Sequence, residues 1–193
     1  VEWSFPEGWE TTQYDQWTFY RKQFLKSFPS SKAVDIAAIP RNSTTLWLIE
    51  AKDYRAYRRD ESKEPLWCAV ALKVRDTLAG LRAAATRASK SREQRFATRS
   101  LQATSIRVVL HLEQPTKRSK LFPVAYDPAD ILQELKKRLR AVDPHPIVES
   151  TSQPSPRTPW QTRWRPRSVA KKYRSPPTEP PQARQRSLTT FRI

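Results

Sequence analysis

The strongest constraint on this chain is a break in its composition near residue 150. Of its 17 prolines, eight fall in residues 151–193, and that stretch has ten Lys/Arg against one acid, Glu179. Residues 1–150 carry 26 Lys/Arg and 18 Asp/Glu, so the net charge is +8 before the break and +9 after it. Proline removes a backbone donor and fixes φ, which bars it from helix interiors and central strands. A segment this rich in proline and like charge buries too little apolar surface to offset its ordering entropy. The sequence therefore divides into a compact domain over 1–150 and an extended or disordered basic arm over 151–193. Trp160, Trp164, Tyr173 and Phe191 are interleaved with the arm's arginines.

The overall charge of +17 points to a polyanionic partner, with nucleic acid first. Gly8 and Gly80 are the two glycines, and neither belongs to a phosphate-binding or dinucleotide-binding glycine pattern. One cysteine, Cys68, and two histidines, His111 and His145, are too few and too scattered for a disulfide framework or structural zinc. No apolar run approaches a membrane span, and no basic-then-apolar leader opens the sequence. The expectation is a soluble cytoplasmic protein, bacterial or phage, without a membrane partner.

Apolar side chains at Trp17, Tyr20, Phe24 and Phe28 recur at helical spacing, which predicts a helix over 12–28. Residues 32–39 and 46–52 read as strands joined by the turn residues 40–44, hence a hairpin. A helix follows over 65–89, a strand over 105–112, a second long helix over 127–142 and a short strand at Ile147–Val148. This order argues for an α/β domain with a mixed central sheet flanked by helices.

Glu-x-Lys occurs three times, at Glu50–Lys52, Glu61–Lys63 and Glu134–Lys136. The second lies in a hydrophilic loop. The third lies on a helix, where residues two apart diverge by ~200°. Only Glu50 and Lys52 close an apolar strand, and strand positions i and i+2 face the same way. Leu46, Leu48, Glu50 and Lys52 thus share one face, and Trp47, Ile49 and Ala51 the other. On the preceding strand Asp35 interrupts an apolar run, and pairing across the turn brings it toward Glu50. Two carboxylates set together repel, and a divalent cation relieves that repulsion. A metal so held, with an adjacent lysine, is what phosphodiester hydrolysis requires; a structural ion pair is the alternative.

On Asp35, the fourteen residues after it, and Glu50-Ala51-Lys52, the chain resembles the PD-(D/E)xK nuclease superfamily, with Val34 in place of the proline. The resemblance spans roughly residues 12–115. It implies a restriction-endonuclease-like αβββαβ core, with Mg²⁺ or Mn²⁺ held by Asp35, Glu50 and the Ala51 carbonyl, and Lys52 as the catalytic lysine. Tyr14-Asp15 is similar to the aromatic–acid pair that some branches place on the first helix, which adds Asp15 as a further metal-ligand candidate.

Arg55, Arg58 and Arg59 follow the active strand among tyrosines, and Lys73, Arg82 and Arg87 line the middle helix. With Arg163, Arg165, Arg167, Lys171 and Lys172 of the arm, they are the expected nucleic-acid contacts. Trp67 and Cys68 are expected in the core, and His111 as a packed, satisfied histidine. The functional expectation is a metal-dependent endonuclease, a hydrolase acting most naturally on DNA. Its alternative is a non-catalytic nucleic-acid-binding subunit of a larger complex, with a protein partner or homodimer.

Overall fold

The structure is a computed structural model that describes residues 1–55, 64–115 and 126–164, and the backbone of 189–192. The chain opens with strands β1 (Glu2–Phe5) and β2 (Trp9–Gln13), a 3-10 turn at Tyr14–Gln16, a π-helical stretch at Tyr20–Phe24 and a last turn α1 (Leu25–Ser27). There follow β3 (Ile36–Pro40), β4 (Thr45–Asp53), α2 (Leu66–Arg87), α3 (Ser91–Leu101), β5 (Ser105–Glu113), α4 (Pro128–Leu139), β6 (Ile147–Glu149), β7 (Gln161–Arg163) and β8 (Thr189–Arg192). A five-stranded sheet runs β2-β3-β4-β5-β6, and a second, three-stranded sheet runs β7-β1-β8. The large sheet is mixed: β3 is antiparallel to β2 and β4, whereas β4, β5 and β6 are parallel. The class is α/β, as expected from the sequence.

Parallel neighbours need a long crossover, and α2 with α3 supplies it between β4 and β5. β4 pairs with β5 over nine residues, Thr45↔Ser105 to Asp53↔Glu113. Its alternation sorts two cores. Leu46 and Leu48 join the helical side, with Val70, Val74, Leu81, Phe96, Ile131 and Leu135. Trp47 and Ile49 join the other side, with Trp3, Phe5, Val109, Ile147 and Trp160. α4 shows how local signals place a helix. Asp127 caps it by accepting from the Ala129 amide at 2.8 Å, and Ile131, Leu135 and Leu139 recur every four residues on its buried face.

The hairpin, α2, β5, α4 and the short β6 all stand where the sequence predicts them. The start of the chain does not. Thr12 and Gln13 belong to β2, paired with Ala37 and Ile36, and not to a helix. Trp17 takes extended backbone (φ −59°, ψ 138°) and its indole donates to Thr12 Oγ1 at 2.6 Å, which separates the 3-10 turn from the helical residues after it. Pairing with β3 overrides local periodicity here. The expected helix over 65–89 ends at Arg87, and extended Ala88 and Lys90 precede a restart as α3.

The arm also differs over its first part. Trp160 is buried in the second core and touches Trp3, Phe5, Trp9 and Trp47, and β7 pairs with β1. Composition averaged over the arm hides this single aromatic anchor. Residues 165–188 lie outside the described residues. Among the described residues no helix is long and apolar enough to cross a membrane.

A polar network fastens residues 149–160 to the sheet. His111, fully buried, has Nε2 2.9 Å from Glu113 Oε1 and Nδ1 3.6 Å from Glu149 Oε1. Glu113 accepts from the Thr151 amide, and Glu149 from Thr158 Oγ1, Trp160 Nε1 and the Ser155 amide. His111 is packed, as read from the sequence, but it is satisfied on one side only: Nε2 is hydrogen-bonded, whereas Nδ1 is buried without a hydrogen-bond partner. Burial pushes the imidazole pKa down, but the two carboxylates outweigh it and hold it above the ordinary 6.5. Burial raises the Glu113 value, and its bonds to His111 and Thr151 outweigh that and pull it down to about 2.

Two tests follow from this packing. A raised histidine contributes stability that is full below its unfolded pKa and fades as pH rises through the folded value; a depressed carboxylate contributes above its unfolded pKa and fades as pH falls through the folded one. Thermal midpoints are therefore highest between the ordinary carboxylate value of 4.5 and the ordinary histidine value of 6.5, and fall on both sides. His111→Gln flattens the alkaline side of that profile; an unchanged alkaline slope in calorimetry counts against the network. Separately, Gly80 faces Tyr14, and a Cβ there collides with the Tyr14 hydroxyl. Gly80→Ala should cost ~1–3 kcal/mol of overpacking despite alanine's better helix propensity, read as a lowered Tm.

Candidate functional site: a buried carboxylate–lysine cluster

The hairpin register sets Ile36 opposite Ile49, so Asp35 comes opposite Glu50. The Ala51 amide donates to Asp35 Oδ2 at 2.7 Å, which ties the two strands where the carboxylates meet. Glu50 is 1% exposed on the helical face of β4. Lys52, two residues on, reaches its Oε1 at 2.6 Å, and so does Lys73 from α2. Lys73 is also 3.8 Å from Asp35 Oδ1. The three residues singled out at the strand ends are thus together, and a fourth joins them.

Two acids facing two bases make a charge-balanced cluster. Burial, reinforced by the Asp35 charge, pushes the Glu50 pKa up to about 7, against the pull of Lys73 and Lys52. Burial lowers the Lys52 value, but Glu50 more than compensates and holds it above the usual lysine range. Asp15, on the 3-10 turn, is raised by burial and, in part, by Asp35; its Oδ2 accepts from Gln16 Nε2 at 2.7 Å.

Glu50 Oε2 is buried without a hydrogen-bond partner. With Asp35 it offers hard oxygen donors, which fit Mg²⁺ or Mn²⁺ better than zinc. Lys73 stands between the two carboxylates and would have to turn away as a cation entered. Among the described residues no group of three or more His, Cys, Asp or Glu is arranged to hold a metal ion.

The expected nucleic-acid contacts separate into four sets. Arg55 is engaged: it pairs with Asp53 at 2.6 Å, lies 3.6 Å from Glu113 and sits over the Trp164 ring at 5.3 Å. Lys73 belongs to the cluster. Arg82 and Arg87 of α2 and Arg163 of β7 are exposed. Arg58, Arg59, Arg165, Arg167, Lys171 and Lys172 lie outside the described residues, as do Glu61 and Lys63. Glu134, the third Glu-x-Lys acid, pairs on α4 with Lys137 at 2.8 Å and with Arg138. Glu10 pairs with Arg99 at 2.9 Å. Sequence alone missed the role of Lys73. The available signal was its position on the inner side of α2, one residue before the buried Val74 and four before the buried Thr77.

No family model matches the chain, and no solved structure matches it. A cysteine–tRNA ligase of Neisseria meningitidis serogroup A is 34% identical over 160 residues, 68% of this chain and 23% of the ligase. The chain therefore spans about a quarter of the length of the curated relative it matches. This overturns the endonuclease expectation and with it the terms nuclease, endonuclease and hydrolase, because the matched protein is a tRNA ligase. The physical reason the motif misled is visible in the cluster. Asp35, Glu50 and Lys52 converge as a strand-end motif requires, but with Lys73 they also satisfy the simpler demand of neutralising a buried carboxylate.

Removing one cation from this cluster shifts the balance in a defined direction. Lys73→Met takes away charge that favours ionised Glu50, so the Glu50 pKa should rise above 7. Carbon-detected NMR titration of the glutamate side chains measures it; an unmoved or lowered value would show that Lys73 does not act on Glu50.

Proposed function

We propose that this chain is a tRNA-binding module allied to aminoacyl-tRNA synthetases, working as part of an enzyme that acts on tRNA. The observation that carries this reading is the 34% identity to a segment of a cysteine–tRNA ligase. Three features support it. The charge of +17 suits a polyanion. Arg75 and Arg82, seven residues apart on α2, present one solvent-facing row, and Arg87, Lys90, Arg92 and Arg95 continue a cationic surface into α3. The buried cluster lies at the carboxyl end of parallel β4, the end of an α/β sheet where ligands commonly bind.

The fold we assign is restriction-endonuclease-like. β2, β3 and β4 form an antiparallel run, and α2–α3 crosses over to the parallel β5. The helical turns fall between β2 and β3 instead of ahead of the first strand, a departure from the αβββαβ order. On this frame the exposed arginines hold backbone phosphates without reading bases. Asp35 and Glu50 would hold a Mg²⁺ or Mn²⁺ ion, whose charge would help to seat a phosphate. Lys52 and Lys73 offer their ammonium groups to that phosphate.

Fluorescence anisotropy across a salt series tests the reading, with unmodified tRNA against a DNA duplex of equal length. The expected result is tighter binding of tRNA at every salt concentration. Each phosphate contact contributes roughly 0.7–0.9 to the slope of log K on log salt. Arg82→Glu with Arg87→Glu should therefore flatten that slope by about 1–2. Equal affinity for the two nucleic acids would reject the tRNA assignment. Calorimetric titration with Mn²⁺ tests the ion independently: Asp35→Asn with Glu50→Gln should abolish its uptake.

A further inference from the structure

The helical face carries a groove between α2 and α4 whose apolar floor the tRNA reading does not use, although its rim shares Arg75 with the cationic row of α2. Its floor is Val74 and Leu139, and Leu72, Leu78 and Val142 form walls that stay partly exposed. The volume is about 580 Å³. Arg75 rises on one bank with its side chain 69% exposed, and Arg138 on the other with 37%. Concave apolar surface of this kind, rimmed by polar groups, marks an interaction site.

We propose that this groove is the docking site for an amphipathic helix with acidic flanks, carried by a protein partner. Its shape selects a helix: a channel between two helices accepts a third whose apolar side chains recur at i, i+4 and i+7. The sign of the rim selects the flanks. Arg75 pairs with Asp76 and Arg138 with Glu134, but each guanidinium has five donors and retains capacity for a second carboxylate. Beyond the rim, exposed Arg82, Lys136, Lys137 and Arg140 add further positive charge.

The other occupants fit worse. Phosphates gain nothing from an apolar floor, so RNA does not match. A second copy sets arginine against arginine, on a chain already at +17. The cysteine–tRNA ligase that this chain matches extends well beyond the matched segment, which covers 23% of it.

The test uses the full chain and three labelled peptides of about 18 residues, roughly five helical turns. One has a leucine stripe with Glu and Asp elsewhere; the second replaces those acids with Lys; the third is the acidic peptide broken by a central proline. The expected result is saturable binding of the first alone. That binding should weaken ~10-fold or more in Leu78→Asp and in Arg75→Glu with Arg138→Glu. Because Arg75 pairs with the buried Asp76, and Arg138 with Glu134 and Cys68, an unchanged circular-dichroism spectrum and Tm are required of the second variant before its binding is read. Lys26→Glu, an exposed charge change on α1 away from the groove, should leave binding unchanged. Equal binding of the intact and proline-broken peptides overturns the proposal, as does a loss in Lys26→Glu matching that of the arginine variant, since both mean general charge attraction. Concentration-dependent dimerisation in sedimentation, abolished by Leu78→Asp, overturns it in favour of a second copy. Loss of tRNA affinity in Leu78→Asp overturns it in favour of RNA.

Discussion

A carboxylate buried at the end of the central strand governs the arrangement around it. Glu50 sits on the helical face of β4, where its neighbours two and four residues back are leucines. An isolated charge there would be costly, and the chain answers it with two cations, Lys52 from β4 and Lys73 from α2, while Asp35 before β3 ties the hairpin and adds a second carboxylate. α2 is therefore held to the sheet by an ion pair at one point as well as by its apolar stripe. The same demand sets the chemistry of the site. A carboxyl group with its pKa near neutrality, beside two ammonium groups, responds to any anion or cation that enters.

The opposite face of the sheet is organised on another principle. Its core is aromatic, with Trp3, Phe5, Trp47 and Trp160 meeting at centroid distances of 5.1–6.4 Å. Such pairs contribute ~0.5–1.5 kcal/mol each beyond their buried area. The His111–Glu113–Glu149 network sits under this cluster and fixes the segment that delivers Trp160. The protein thus has a helical side built from aliphatic stripes and a second side built from a few large rings.

The central elements were legible in the sequence because their signals are local. The turn residues at 40–44, the alternation in β4, the Asp127 cap and the four-residue spacing in α4 each specify structure within a few residues. Convergence of Asp35, Glu50 and Lys52 followed from strand period and pairing alone. What local signals could not show were pairings across long sequence distances. β1 and β2 are short, and their partners lie far along the chain or beyond a helical segment whose aromatic spacing resembles one long helix. Trp160 lies in a proline-rich stretch whose average composition describes an arm. The charge run on α2 read as one surface, yet Lys73 turns inward while Arg82 and Arg87 face out. The nuclease inference failed at a different level: the geometry was read correctly, but shared geometry does not carry shared chemistry.

The small sheet has a consequence for how the chain is made. β1, residues 2–5, is the middle strand between β7 and β8, so it pairs with residues 161–163 and 189–192, which are made long after it. Neither edge of β1 has its partner until residues 161–163 and 189–192 have been made. Trp3 and Phe5 must meanwhile wait without the ring of Trp160. The large sheet, complete by residue 149, can assemble before residues 161–192 emerge, whereas closure of the aromatic side waits for them. Vectorial synthesis thus imposes an order on the two faces of one sheet, and a stalled or shortened nascent chain exposes a strand carrying Trp3 and Phe5 with two open edges.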